Sequence, residues 1–252
     1  MAVALVGPTA SGKSEIALTA ARIARAGGIP VELVSVDSMA VYRGMDIGTA
    51  KPPAAVRAEF AYHLLDLVDP EEEYTVTRFQ ADASSALEGI AARGAVALLV
   101  GGTGLYLRAV TDDLTFPGRF PEVAQGLTAE LDALGPAGSA ARADGCAGLH
   151  DRLATVDPPA AARIEPGNER RLVRALEVTL GSGRPFSSFG PGLERYPPAR
   201  ADLLGVQRGA EESDRRIAER FARLLDDGLL EEVHLGAVSE HGLEQLERAA
   251  RR

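Results

Sequence analysis

The sequence predicts an α/β fold: a parallel sheet with helices on both faces, interrupted by an α-helical insertion. Three observations point to it. Short apolar runs of strand type alternate with longer segments of helical periodicity. The first three runs each end at a glycine or an aspartate, where a buried parallel strand gives way to a turn. Between about residues 116 and 198 strand-like runs vanish, and alanine-rich helical segments broken by Gly and Pro replace them.

The elements follow in order. Ala2–Val6 is continuous, apolar and short, as a buried parallel strand is. The helix after it is expected to turn Ile16, Ala17, Ala20, Ile23 and Ala24 inward and to stop at Gly27-Gly28. Val31–Val36 is a second strand, with Asp37 at its carboxyl end. Residues 76–93 form a helix with Val76, Phe79, Ala83, Leu87 and Ile90 in phase, and residues 95–100 a third strand running into Gly101-Gly102-Thr103-Gly104. Residues 202–206 are a fourth strand, and 211–225 an amphipathic helix expected to bury Ile217, Phe221, Leu224 and Leu225. Within the insertion, helices are expected over 122–134, 149–155, 159–164 and 169–180. Its flanks, 115–118 and 181–198, are rich in Gly, Pro and Ser and suit hinges. Residues 1–115 with 199–252 thus read as the α/β core and 116–198 as an inserted helical domain.

Bulk properties narrow the class. A chain of 252 residues, 46% hydrophobic and 25% charged, has room for a core plus an insertion. A net charge of −9 argues against a generic nucleic-acid coat but leaves room for a local basic patch. The single cysteine, Cys146, excludes an intrachain disulfide and fits a reducing compartment. No apolar run approaches the roughly 18–20 residues of a membrane span, and the apolar start breaks at Gly7-Pro8 without a signal-type cleavage pattern. A cytoplasmic, monomeric protein without membrane association is expected.

The chemistry concentrates at strand ends. Gly7-Pro8-Thr9-Ala10-Ser11-Gly12-Lys13-Ser14 matches G-x-x-x-x-G-K-[ST] between a strand and a helix, which makes the sheet P-loop NTPase-like. Amides of such a loop, with the positive end of the helix dipole, hold phosphate oxygens. Lys13 adds a point charge and Ser14 a hydroxyl for Mg²⁺. The loop predicts a diphosphate or triphosphate ligand and leaves open which. Asp37-Ser38 closes the second strand, where ligands of open α/β sheets bind; its carboxylate suits a Mg²⁺ contact, a general base or a plain turn. Thr103 is the polar side chain among the glycines of the third strand's end, near a ligand or as a helix N-cap. Arg163, Arg170, Arg171 and Arg174 form the densest basic cluster, with Arg170 and Arg174 one turn apart. That face suits either polynucleotide phosphates or solvent, with Glu165, Glu169 and Glu177 as partners. Arg216, Arg220 and Arg223 form one stripe that could close over a diphosphate, or pair with Glu212, Glu219 and Asp226. His63, between apolar residues, reads as structural, and no metal-ligand spacing or nucleophile–His–acid set is present.

The longer strings are more specific. The loop at 7–14, then residues 37–52 (D-S-M-A-V-Y-R-G-M-D-I-G-T-A-K-P), His63-Leu64-Leu65-Asp66, Gly101 to Tyr106, and Arg171 to Glu177 occur in order. Together they closely resemble the tRNA dimethylallyltransferase (tRNA isopentenyltransferase) family, from residue 2 to about residue 236. The resemblance implies transfer of a dimethylallyl group from dimethylallyl diphosphate, with Mg²⁺, to the exocyclic N6 amine of the adenosine 3′ of the anticodon in tRNAs reading U-initial codons, releasing diphosphate. It implies that Gly7, Pro8, Thr9, Ala10, Ser11, Gly12, Lys13 and Ser14 hold the diphosphate, with Ser14 on the metal, and Arg216 and Arg220 fit the same ligand. It further implies that Asp37 accepts a hydrogen bond or proton from the amine and that Thr103 sits by the reacting bond. Ser38, Met39 and Ala40 would surround the adenine, and Arg170, Arg171, Leu172, Val173 and Arg174 would meet the tRNA. The insertion would embrace the anticodon stem-loop.

Three departures stand out. Ala124 replaces an arginine usual in the family, and Ala40 stands where glutamine is frequent. Members also usually continue past the point where this sequence stops, at Glu247 to Arg252, with a Gly-Tyr-containing segment and a basic, aromatic region, so that region is expected to be lacking. The competing readings are a small-molecule kinase using ATP at the same loop, an isopentenyltransferase acting on free AMP, ADP or ATP, and a catalytically inert RNA-binding module. The 37–52 string disfavours the kinase, and the arginine-bearing insertion favours tRNA over a free nucleotide.

Overall fold

A computed structural model describes residues 2–112, 114–189 and 201–236. Contacts divide the chain into two compact units, Met1–Asp113 with Pro197–Arg252, and Leu114–Tyr196.

The first unit is built on a five-stranded, all-parallel sheet of order β3-β2-β4-β1-β5. Its strands are β1 (Ala2–Val6), β2 (Val31–Val36), β3 (Tyr62–His63), β4 (Val96–Gly101) and β5 (Asp202–Gly205). Its helices before the second unit are α1 (Lys13–Ala26), α2 (Ala54–Glu59), α3 (Val76–Ala92) and α4 (Gly104–Thr111). Alternation along the central strands fills both faces. Ala4, Val34, Val36, Ala97 and Leu99 pack with Phe79, Ala83 and Ile90 of α3 and Tyr106 of α4. Leu5, Leu33 and Leu98 pack with Ala17 and Ala21 of α1 and with Phe60.

Two expected inward faces are corrected. On α1 the buried residues are Ala17 and Ala21, while Ile16 and Ile23 are 43% and 68% exposed. The small side chains meet the sheet, and the larger residues that dominate the hydrophobic pattern lie outside. The late helix, α9 (Ala210–Asp226), has no buried residue among those described, and Ile217, Phe221 and Leu225 are 44%, 56% and 39% exposed. It follows β5, which among the described residues is an edge strand paired with β1 alone and whose Leu203 and Leu204 are themselves about half exposed. An amphipathic pattern identifies the face that seeks apolar cover, not what supplies it.

His63 joins Glu32 on the sheet edge, its Nε2 lying 2.7 Å from the carboxylate, which also accepts from Arg93 at 2.7 and 2.8 Å. The Arg93 hydrogen bond, more than the opposing burial, holds the Glu32 carboxyl at about 2. The folded value lies below that of an unfolded glutamate, about 4.3. The resulting stabilisation is therefore present above that pH and lost as pH falls towards 2. Glu32→Gln should lower stability at neutral pH and flatten its decline between about pH 5 and 2, as denaturant melts across that range would show.

The second unit contains α5 (Pro121–Asp132), α6 (Ala140–Val156), α7 (Pro158–Ala161) and α8 (Glu169–Ser182) around Leu127, Leu131, Leu149, Leu153, Leu172 and Leu176. Helix α6 begins well before the expected 149, because Ser139 caps it by accepting from the Arg142 amide. Helix α7 stops before the expected 164 and is capped by buried Asp157, which also accepts from the Ser187 amide and hydroxyl.

Candidate active site

The phosphate-type loop joins β1 to α1. Gly7 has no room for a side chain: a Cβ would lie 2.8 Å from both the Ser11 hydroxyl and the Val206 carbonyl. Gly12 takes φ +90 as the residue before α1, a left-handed turn that glycine makes without steric cost. Lys13 starts the helix and donates from Nζ to the Pro8 carbonyl at 3.1 Å. Burial, then the charge of Arg220, pushes the Lys13 ammonium below the usual lysine value, and Asp37 pulls it partly back. Ser14 lies exposed in the first turn.

Cations converge on this loop from the far end of the chain. Arg216, on α9, donates to the Ala10 carbonyl at 3.0 Å. Arg208, beyond β5, donates to the Ser11 carbonyl at 2.7 Å. A Cβ at Gly12 would lie 3.2 Å from an Arg208 nitrogen and 3.7 Å from an Arg216 nitrogen. The Nε of Arg220 is buried without a hydrogen-bond partner. A buried, unpaired guanidinium N–H is costly unless an anion completes it. Arg215 pairs with Glu212 and Glu219, Glu212 also lies 3.6 Å from Arg208 and 3.8 Å from Arg216, and Arg223 is exposed. Sequence reasoning singled out Arg216 and Arg220 but missed Arg208. Its signal was position: it stands just past a strand's carboxyl end, as Asp37 and Thr103 do.

Asp37 follows β2, and its Oδ1 accepts from the Met39 amide at 2.8 Å, forming a turn that fixes one carboxylate oxygen. Thr103 precedes α4 yet makes no capping hydrogen bond; its hydroxyl accepts from the Ser38 amide at 3.2 Å. The ends of β2 and β4 are thereby laced together. Gly101 permits this: a Cβ there would sit 1.9 Å from the Val36 carbonyl oxygen. At Gly102 the nearest atoms are the Gly7 carbonyl at 3.4 Å and Lys13 Nζ at 3.6 Å. Ala40 is buried, and Met39 packs against the core that holds Val34 and Val36.

The segment behind Asp37 has its own supports. Lys51, its side chain fully buried, donates to the Tyr42 carbonyl at 2.5 Å and to Asp66 at 2.6 Å, with Asp46 at 3.0 Å. Arg57 also reaches Asp66, at 2.7 Å.

In the second unit, Arg170 and Arg171 are exposed at the start of α8. Leu172 is fully buried in that unit's core and Val173 packs against it, so neither offers the freely accessible side chain expected of an RNA contact. Arg174 donates to Glu177 at 2.7 Å and to the carbonyls of Pro117 and Gly118 at 3.0 and 3.2 Å. Buried Glu177 also accepts from the Phe120 amide at 2.7 Å. Arg174→Ala should therefore destabilise the protein by about 1–3 kcal/mol, by leaving that carboxylate without its cation. Arg171→Ala should change stability by less than about 0.5 kcal/mol, and thermal unfolding of the two variants separates the roles.

Residues 40–250 match the family model described as IPP transferase. A tRNA dimethylallyltransferase from Kineococcus radiotolerans is 49% identical over 232 residues, spanning 92% of this chain and 69% of the relative. One from Thioalkalivibrio sulfidiphilus is 46% identical over 236 residues, with the same coverage. Among solved structures, the tRNA isopentenylpyrophosphate transferase of Bacillus halodurans superposes with a TM-score of 0.56 at 34% identity, over 92% of this chain and 68% of that one. A eukaryotic dimethylallyltransferase acting on tRNA superposes with a TM-score of 0.69 at 25% identity, over 93% of this chain and 55% of its own.

Proposed function

The chain belongs to the IPP transferase family, and from that premise we propose that it is a tRNA dimethylallyltransferase working at the carboxyl edge of its parallel sheet. The observation that supports this most is the presence, within the first unit, of a cation-lined phosphate loop and of Asp37 at the carboxyl edge of the same sheet.

The donor is dimethylallyl diphosphate. The loop amides, Lys13, Arg208, Arg216 and Arg220 take the diphosphate, which gains charge as the carbon–oxygen bond breaks. The acceptor is the N6 amine of an adenosine beside the anticodon. It forms the new nitrogen–carbon bond and gives up a proton, for which Asp37 is the acceptor; Thr103 supports the Asp37–Ser38 turn. An unpaired anticodon loop makes extruding that base cheap. The second unit takes the RNA stem-loop through exposed side chains such as Arg170 and Arg171.

Among the described residues no group of three or more His, Cys, Asp or Glu could hold a metal. Ser14 would offer one hydroxyl to a Mg²⁺ ion carried by the diphosphate, and the ion would supply charge neutralisation for the leaving group. No described helix is long and apolar enough to cross a membrane; a tRNA substrate supports a cytoplasmic site of action.

The test is to incubate the protein with dimethylallyl diphosphate, Mg²⁺ and an anticodon stem-loop carrying consecutive adenosines, then weigh the RNA. One added prenyl unit is expected. No gain at high enzyme concentration, beside an active homologue, overturns the proposal.

A further inference from the structure

Helix α9 presents Arg216 to the loop, yet none of its described residues is buried. Its place is therefore not set by a core. At the loop end it is held by Arg216 on the Ala10 carbonyl, with Arg208, just before the helix, on that of Ser11. Its other end runs through Gly228, at φ +101, into α10 (Leu229–Gly236). There Glu232 spreads its carboxylate over three consecutive amides, accepting from Asp46 at 2.7 Å, Ile47 at 2.6 Å and Gly48 at 2.8 Å. Charge-assisted bonds of this kind are about twice as strong as neutral ones. A Cβ at Gly228 would lie 3.7 Å from Ile47, so the turn between the helices rests on the same spot.

The amides that receive Glu232 are rigidly backed. The turn closes on itself through the Lys51 amide to the Asp46 carbonyl at 2.9 Å and the Ala50 amide to the Ile47 carbonyl at 2.8 Å. Buried Lys51 ties it to Tyr42 and Asp66. Glu232 is thus the fixed point of an arm whose other end holds the diphosphate cations.

We infer that Glu232 is a positioning residue for the donor site: by pinning α10 to the 46–48 turn it sets where Arg216 and Arg220 lie over the phosphate loop. The inference rests on the proposed diphosphate role of those arginines. Glu232→Gln loses the charge and one acceptor oxygen while keeping size.

Titrating inorganic pyrophosphate with Mg²⁺ into the protein by calorimetry tests this without turnover. Relative to wild type, Glu232→Gln should raise the pyrophosphate Kd about tenfold, which is about 1.4 kcal/mol and the scale of one weakened hydrogen bond to a charged group. In a background of Arg216→Ala with Arg220→Ala, adding Glu232→Gln should change Kd by less than about twofold, since it acts through the groups already removed. Wild-type affinity in Glu232→Gln, or an equal loss in both backgrounds, overturns the inference alone. An arginine double variant that binds like wild type overturns the donor-site reading, and this inference with it. Glu232→Ala, checked for cooperative unfolding, should follow Glu232→Gln with a larger Kd shift, and no shift in Ala overturns the anchor.

Discussion

Asp37→Asn should slow prenyl transfer by about 10²–10⁴-fold, the range general-base catalysis supplies. The substitution keeps the side chain's shape and the acceptor oxygen that meets the Met39 amide, so the β2 turn persists. What is lost is the negative charge and the capacity to take a proton from an amine. Single-turnover rates with saturating enzyme should fall while pyrophosphate and stem-loop affinities stay near wild type. A rate within about threefold of wild type would return Asp37 to a turn residue, because general bases contribute far more than that.

Gly101→Ala should disable the enzyme by a different route. A methyl group there would lie 1.9 Å from the Val36 carbonyl oxygen, within the paired backbones of β2 and β4. Neither strand has room to move, since β4 is also in register with β1, where Val6 faces Gly101. Overpacking typically costs about 1–3 kcal/mol and occasionally more, and so close an approach to backbone belongs at the upper end. It would spread the strand ends that place Asp37 and Thr103 relative to one another. The neighbouring Gly102→Ala is the control. Its nearest atoms are 3.4 Å or more away, so stability should stay within about 1 kcal/mol of wild type. Equal melting temperatures for the two variants would refute the crowding argument.

The central sheet was legible because buried parallel strands write themselves as unbroken apolar runs; Ala2–Val6 and Val31–Val36 appear with the expected bounds. β3 is only Tyr62–His63 and has no pattern to detect. The phosphate loop, Asp37 and Thr103 were visible as polar or glycine residues at strand ends. Thr103 does stand at the N-cap of α4, but its hydroxyl accepts from the Ser38 amide instead of capping the helix. Arg174 looked like one member of a basic face. Only folding showed that it is tied to Glu177 and to the 117–118 carbonyls.

Local order thus came from the chain itself: apolar runs made strands, Gly12 made the left-handed step before α1, and strand ends collected the reactive groups. Contacts between residues distant in sequence were settled only by the tertiary fold. Arg208 meets Ser11, Arg216 meets Ala10, and Glu232 meets the 46–48 amides across most of the chain's length. Periodicity encodes which face of an element avoids water, because that depends on neighbours a turn away. It does not encode which distant carbonyl a guanidinium will reach, because that depends on how the whole sheet brings its carboxyl ends together.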